Sequence, residues 1–161
     1  MTDGVSPLKM KAQLIRENII RPVLQALDLY SESAVQLLLG TAIQESHLTY
    51  RRQLGDGPAL GLWQMEPMTH EDCWDNYLHF NPILAHKVLT AGKLLERPMV
   101  AELQANDSYA CAMARVKYLR IPDTIPFGLE SQAAYWLKWY NAGGKGSVQQ
   151  YLDNWNSVMG E

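Results

Sequence analysis

Basic charge, cysteine, phenylalanine and long apolar runs are all scarce in this chain, and each shortage closes off a class of function. Lysine and arginine number 14 against 17 acidic residues, for a net charge of −3 over 161 residues. That balance leaves no electrostatic footprint for nucleic acid and no polybasic run for an anionic membrane. No apolar run approaches the roughly 18 residues that a membrane-spanning helix needs. Residues 1–18 lack an apolar core followed by a small-residue cleavage site, so the expectation is synthesis and folding in the cytoplasm without a signal peptide. The two cysteines, Cys73 and Cys111, allow one disulfide but not a disulfide framework, and both are expected reduced. Cys111 lies in an alanine-rich run, where a small buried thiol is the natural reading.

Metal and nucleotide signatures are also missing. The four histidines, His47, His70, His79 and His86, form no His-Glu-x-x-His pattern. His70-Glu71-Asp72-Cys73 has metal-like composition, but consecutive residues on a helix start project in different directions. Glu71 and Asp72 there read as first-turn acids favoured by the helix dipole. Gly143-Gly144-Lys145-Gly146 follows a helix rather than a strand, so it is no phosphate loop, and no serine elbow occurs. No metal and no cofactor are expected.

What the chain has is helical periodicity and an unusual aromatic set, 5 Trp and 8 Tyr against 2 Phe. Such rings combine a flat apolar face with a polar handle that suits a sugar, although most of them are expected in the core. Apolar spacing predicts helices over 7–20, continuing past a break at Pro22 to about 30, then 34–46 behind a Ser31 or Ser33 cap. Further helices are predicted over 71–78, 82–89, 107–118 behind Asn106, 130–139, and 148–159 behind Ser147. Residues 54–58 are strong turn chemistry, and 59–65 are too short to assign by period. With no repeat or linker, residues 1–161 read as one mainly α domain.

Glu45 falls at the C-terminal end of an apolar helix. There the helix dipole and apolar neighbours both oppose ionisation and should raise its pKa, which is what a general acid needs near neutral pH. Taken alone, such a residue is more often a solvated helix-end glutamate. It stands, however, in Glu45-Ser46, followed by Gly61-Leu62-Trp63-Gln64-Met65-Glu66-Pro67-Met68-Thr69 and, far downstream, Tyr140-Asn141-Ala142-Gly143. Gly61 permits close backbone approach to a substrate, and Leu62, Trp63 and Met65 can wall an apolar surface. Gln64 offers both donor and acceptor for an N-acetyl or hydroxyl group. Pro67 and Thr69 read as structural, ending a loop and capping a helix. Tyr140, at a helix end beside Asn141 and a glycine-rich exit, could direct its phenol into a cleft.

Taken together these segments resemble the soluble lytic transglycosylase family, relatives of goose-type lysozyme. Its domain carries a Glu-Ser motif, a Gly-Leu-Met-Gln-x-x-Pro-x-Thr motif and a Tyr-Asn-Ala-Gly motif in that order. The resemblance spans roughly residues 34–155. It implies a lysozyme-like helical domain with at most a small irregular β element beside the cleft, and peptidoglycan glycan strands as substrate. Glu45 would protonate the oxygen of the β-1,4 bond after N-acetylmuramic acid, then take the proton of that sugar's 6-hydroxyl, giving a 1,6-anhydro product. Ser46 would orient Glu45 or its local backbone. Ser46, Gly61, Leu62, Trp63, Gln64, Met65, Tyr140 and Asn141 would bind substrate.

Two departures matter. The family usually has an apolar residue where this chain has Glu66, and serine or lysine before the glycine where it has Asp56. Either carboxylate could hold a water opposite Glu45, which would make the enzyme a hydrolytic muramidase. A non-catalytic structural protein with a lysozyme-like fold is a further alternative. The missing export signal favours a bacteriophage setting, as virion component or endolysin with tail or capsid partners, over a secreted housekeeping enzyme; a secretion machine is a third context.

Overall fold

The computed structural model describes residues 4–49, 57–141 and 144–160. Among them are helices α1 (Pro7–Ile15), α2 (Arg21–Ala26), α3 (Glu32–Ser46), α4 (Pro67–Asn76), α5 (Pro82–Ala91), α6 (Glu102–Ala105), α7 (Asp107–Leu119), α8 (Leu129–Tyr135) and α9 (Val148–Met159). No strand occurs among the described residues, and the β structure is one isolated bridge between Leu60 and Met65. The mainly α expectation holds.

Helix α3 organises the core. Its buried positions run almost continuously, Ala34, Val35, Leu37 through Ile43, and Ser46, and beyond its first turn only Gln36, Gln44 and Glu45 are partly exposed. A helix that is apolar all round must be surrounded; α2, α7, α8 and α9 pack against it. Helix α7 is the second interior rod, with Tyr109 through Ala114 buried. The core joins side chains from all these elements, including Leu24, Leu38, Trp63, Val88, Leu103, Met113, Trp136 and Trp155. Most of the tryptophans and tyrosines are in it, as expected, and Cys73 and Cys111 are free and buried.

The helix starts follow sequence chemistry. Ser31, Asn106 and Ser147 each accept a hydrogen bond from the backbone N–H three residues on, at 3.0 Å. This relieves donors that the first turn leaves unpaired. Pro22 does not break its helix: it occupies the first turn of α2, where no N–H is needed, and a five-residue π turn, Arg16–Ile20, joins α1 to α2. Helix α4 likewise begins at Pro67, not at 71. Glu71 and Asp72 are therefore mid-helix rather than first-turn acids. They serve instead in ion pairs with Arg97 and Arg120. The short α6 lacks a detectable period and was not expected. A second π turn, Trp136–Tyr140, extends α8.

Candidate active site

Helix α3 ends one residue after Glu45. Its C-cap, His47, takes a left-handed conformation (φ 51°), as does Leu48 (φ 60°), so the chain turns sharply away. The Ser46 hydroxyl is fully buried; it donates to the Ala42 carbonyl at 2.9 Å and accepts from the Leu48 N–H at 3.2 Å. Ser46 thus holds the helix end, the local-backbone role; its hydroxyl is engaged with Ala42 and Leu48 rather than with Glu45's carboxyl.

The Glu45 carboxyl is partly buried, and Oε2 accepts a hydrogen bond from the Trp136 indole Nε1–H at 2.9 Å. Burial pushes its pKa up; the Trp136 bond and the positive charge of Lys117 act against that rise without cancelling it. A carboxyl so placed keeps its proton to higher pH than a solvated glutamate. Trp136 is itself clamped. Its ring meets Tyr151 at 5.3 Å between centroids, and a β-carbon on Gly146 would collide with its six-membered ring. Tyr151 in turn presses its hydroxyl against Gly40, a turn before Glu45 on α3.

The segment 60–65 is a tight reversal. Leu60 and Met65 exchange both backbone hydrogen bonds, at 2.9 and 3.0 Å. Gly61 (φ 83°) and Gln64 (φ 48°) supply the left-handed residues. Its residues do different work from that expected. Leu62, Trp63 and Met65 are 0%, 1% and 2% exposed, so they are core and not a wall facing substrate. The Trp63 indole donates to the Leu38 carbonyl at 2.9 Å, fastening the reversal to α3. The close approach that Gly61 allows is to the Leu103 carbonyl, which a β-carbon would strike, and not to an open surface. The side-chain nitrogen of Gln64 donates to the Gly61 carbonyl at 2.8 Å, closing its own turn. Thr69 does not cap α4; Glu66 takes the cap position, without a side-chain bond, and is exposed. Asp56 lies outside the described residues.

Tyr140 closes the arrangement. Its phenol is buried and donates to the Trp63 carbonyl at 2.6 Å, so it reaches the reversal and not an open cleft. The Lys117 ammonium donates to the Tyr140 carbonyl at 2.9 Å and lies 3.8 Å from the centre of the Tyr140 ring. Asn141 is partly buried, with its side-chain nitrogen enclosed and unpartnered among the described residues.

The structure thus brings together Glu45, Tyr140 and the 60–65 reversal, through contacts that run mainly within the protein. Two residues that sequence reasoning missed, Trp136 and Lys117, complete the group. Each carried a signal. Trp136 lies one turn before Tyr140, and Lys117 interrupts the buried stripe Tyr109, Ala110, Met113 on α7. No group of His, Cys, Asp or Glu among the described residues could hold a metal ion. Compared with known protein families, with curated proteins and with solved structures, the chain matches none.

Proposed function

We propose that this chain cleaves peptidoglycan glycan strands as a lytic transglycosylase, with Glu45 as general acid and then general base, on a lysozyme-like domain. The observation that carries the reading is the state of Glu45: a partly buried carboxyl whose pKa is raised by burial, oriented by one indole N–H. It stands at the end of the helix to which Trp63 fastens the Gly61–Met65 reversal, against the π turn that ends at Tyr140, the segments in which the sequence resembles that family.

In the proposed reaction Glu45 gives its proton to the glycosidic oxygen as the bond to the anomeric carbon breaks. The substrate's acetamido group supports the positive charge that develops there. The Glu45 carboxylate then takes the proton of the 6-hydroxyl as that oxygen closes on the anomeric carbon. Glu45 is protonated again and no water is consumed. Because Leu62, Trp63 and Met65 are core, the sugar would be gripped by residues left partly exposed, Gln64 and Asn141 among them, and Gly61, Ser46 and Tyr140 would shape the site from beneath.

A second reading, hydrolysis, has one observation in its favour. Glu66 is exposed, and with Glu45 it acts on the charge of Lys117, so two carboxylates share one neighbourhood. Mass spectrometry of muropeptides released by the wild type and by Glu45→Gln separates the cases. Anhydromuramic ends lost in Glu45→Gln support the transglycosylase, whereas reducing ends point to the hydrolase. Cleavage undiminished in Glu45→Gln sinks both. A protein that cleaves nothing yet binds a virion or secretion-machine component is a scaffold. Action on the cell wall from a phage particle or at lysis belongs to this same proposal.

A further inference from the structure

Among the described residues Lys117 is the cation whose charge acts on Glu45, and its setting is unusual for a lysine. It lies in the last turn of α7 among buried residues, and its ammonium is directed at the Tyr140 carbonyl and ring face. Among the described residues no carboxylate lies within ion-pair distance of it. Lys117 is partly buried, and one carbonyl and one ring recover only part of the hydration its ammonium loses.

The same π turn holds both charges. Trp136, its first residue, gives its indole N–H to Glu45; Tyr140, its last, gives its carbonyl to Lys117. The two groups are therefore fixed with respect to each other by five consecutive residues. Each feels the other: the Lys117 charge favours ionised Glu45, and the Glu45 charge favours protonated Lys117 more than does that of Cys73 or Glu66. The phenols Tyr118, Tyr140 and Tyr151 also face Glu45, and each is pushed by burial to remain neutral. Among the described residues, Lys117 is the cation whose charge acts on Glu45.

We propose that Lys117 is the counter-charge of Glu45, a positioning residue that stabilises the carboxylate left when Glu45 has given up its proton. The catalytic part of this rests on the glycan-cleaving reading above; the pairing does not. In that reaction Glu45 must be a carboxylic acid before the bond breaks and a carboxylate until the 6-hydroxyl proton arrives. With no second carboxylate needed, the fixed cation lowers the energy of that interval. The proton never passes to Lys117; it travels from Glu45 to the leaving oxygen and back from the 6-hydroxyl.

The test follows the Glu45 side-chain carboxyl by carbon-13 NMR through a pH titration in three proteins. Lys117→Gln keeps an N–H for the Tyr140 carbonyl but loses the charge, and Lys117→Arg keeps the charge. The midpoint should rise in Lys117→Gln and stay near wild type in Lys117→Arg; equal midpoints in all three overturn the pairing. The reciprocal measurement needs neither variant. In Glu45→Gln the Lys117 ammonium should lose its proton at a lower pH than in wild type, and an unchanged value overturns the proposal as well. On peptidoglycan, Lys117→Gln should lower kcat on the order of tenfold with little change in KM, and Lys117→Arg should recover much of the loss. If the titrations shift while the wild type cleaves no glycan, the pairing stands and the glycan-cleaving reading fails.

Discussion

The Tyr140 hydroxyl donates to the backbone carbonyl of Trp63, 77 positions away in the chain, at 2.6 Å. This bond ties the 60–65 reversal to the π turn, and with it the two downstream segments singled out in the sequence. Tyr140→Phe deletes the donor, keeps the ring under Lys117 and leaves a buried carbonyl unpaired. A loss of about 1–3 kcal/mol in stability is expected from urea unfolding. A phenol whose main work was on the substrate would instead change KM and leave the unfolding midpoint alone.

Trp136→Phe removes the N–H from Glu45 while keeping an aromatic ring against Tyr151. A hydrogen bond to the charged form lowers a carboxyl's pKa, so its loss should raise the Glu45 titration midpoint further. The alkaline limb of a pH–activity profile for peptidoglycan clearing should move to higher pH, with a lower maximum. A profile of unchanged shape would remove Trp136 from the site.

Stability against pH offers a check on Glu45 that needs no substrate. Its pKa is higher in the folded chain than in the unfolded one, so between those values the folded state holds more protons and stability falls as pH rises. Glu45→Gln is free of that cost. It should melt above the wild type at neutral pH, and the gap should close as pH falls below the ordinary carboxyl range. A Glu45→Gln protein less stable at neutral pH would mean that the buried carboxylate is fully compensated.

His70 should give the opposite slope. Its fully buried ring meets Glu71 at 2.9 Å and the Tyr109 hydroxyl at 2.7 Å, and the same hydroxyl accepts from Trp74. Tyr109 has one proton to give, so the set is satisfied by a neutral ring with its hydrogen on Nδ1. Burial holds the pKa of His70 below its ordinary 6.5. A depressed folded value means stability that is present above about pH 6.5 and lost as pH falls. Unfolding midpoints should drop between pH 7 and pH 5, and His70→Gln should flatten the curve.

Two glycines separate strain from collision. Gly61 and Gly128 both have positive φ, 83° and 87°, but a β-carbon at 128 meets open space while one at 61 strikes the Leu103 carbonyl. Gly128 has ψ 145°, a mirror-extended backbone that L residues avoid, so Gly128→Ala should cost about 1–3 kcal/mol from strain alone. Gly61→Ala adds a collision with backbone that cannot move aside as a side chain does, and should cost the larger amount, on the order of 3 kcal/mol or more. Equal thermal shifts for the two would contradict the packing described.

The caps and long helices were legible in the sequence because Ser31, Asn106 and Ser147 act within three residues of themselves. The roles of Leu62, Trp63 and Met65 were not, since an apolar residue in a short loop reads the same whether it faces a cleft or a core. Only the distant partners decide: Leu38 for Trp63, Leu103 for Gly61. Trp136 escaped notice for a related reason, its partner lying 91 positions away. Lys117 did so because a single lysine in an apolar stripe is normally taken as one that reaches out to water.

The π turn at 136–140 amounts to one residue more than regular winding would use, with the Asn141 N–H bonded back to the Trp136 carbonyl at 3.0 Å. Removing a single residue there would heal the coil and rotate everything beyond it by about 100°. The indole and the phenol could then no longer both reach their present partners. A deletion of one codon, harmless to helix content and nearly invisible to circular dichroism, would dismantle the site while leaving the scaffold wound.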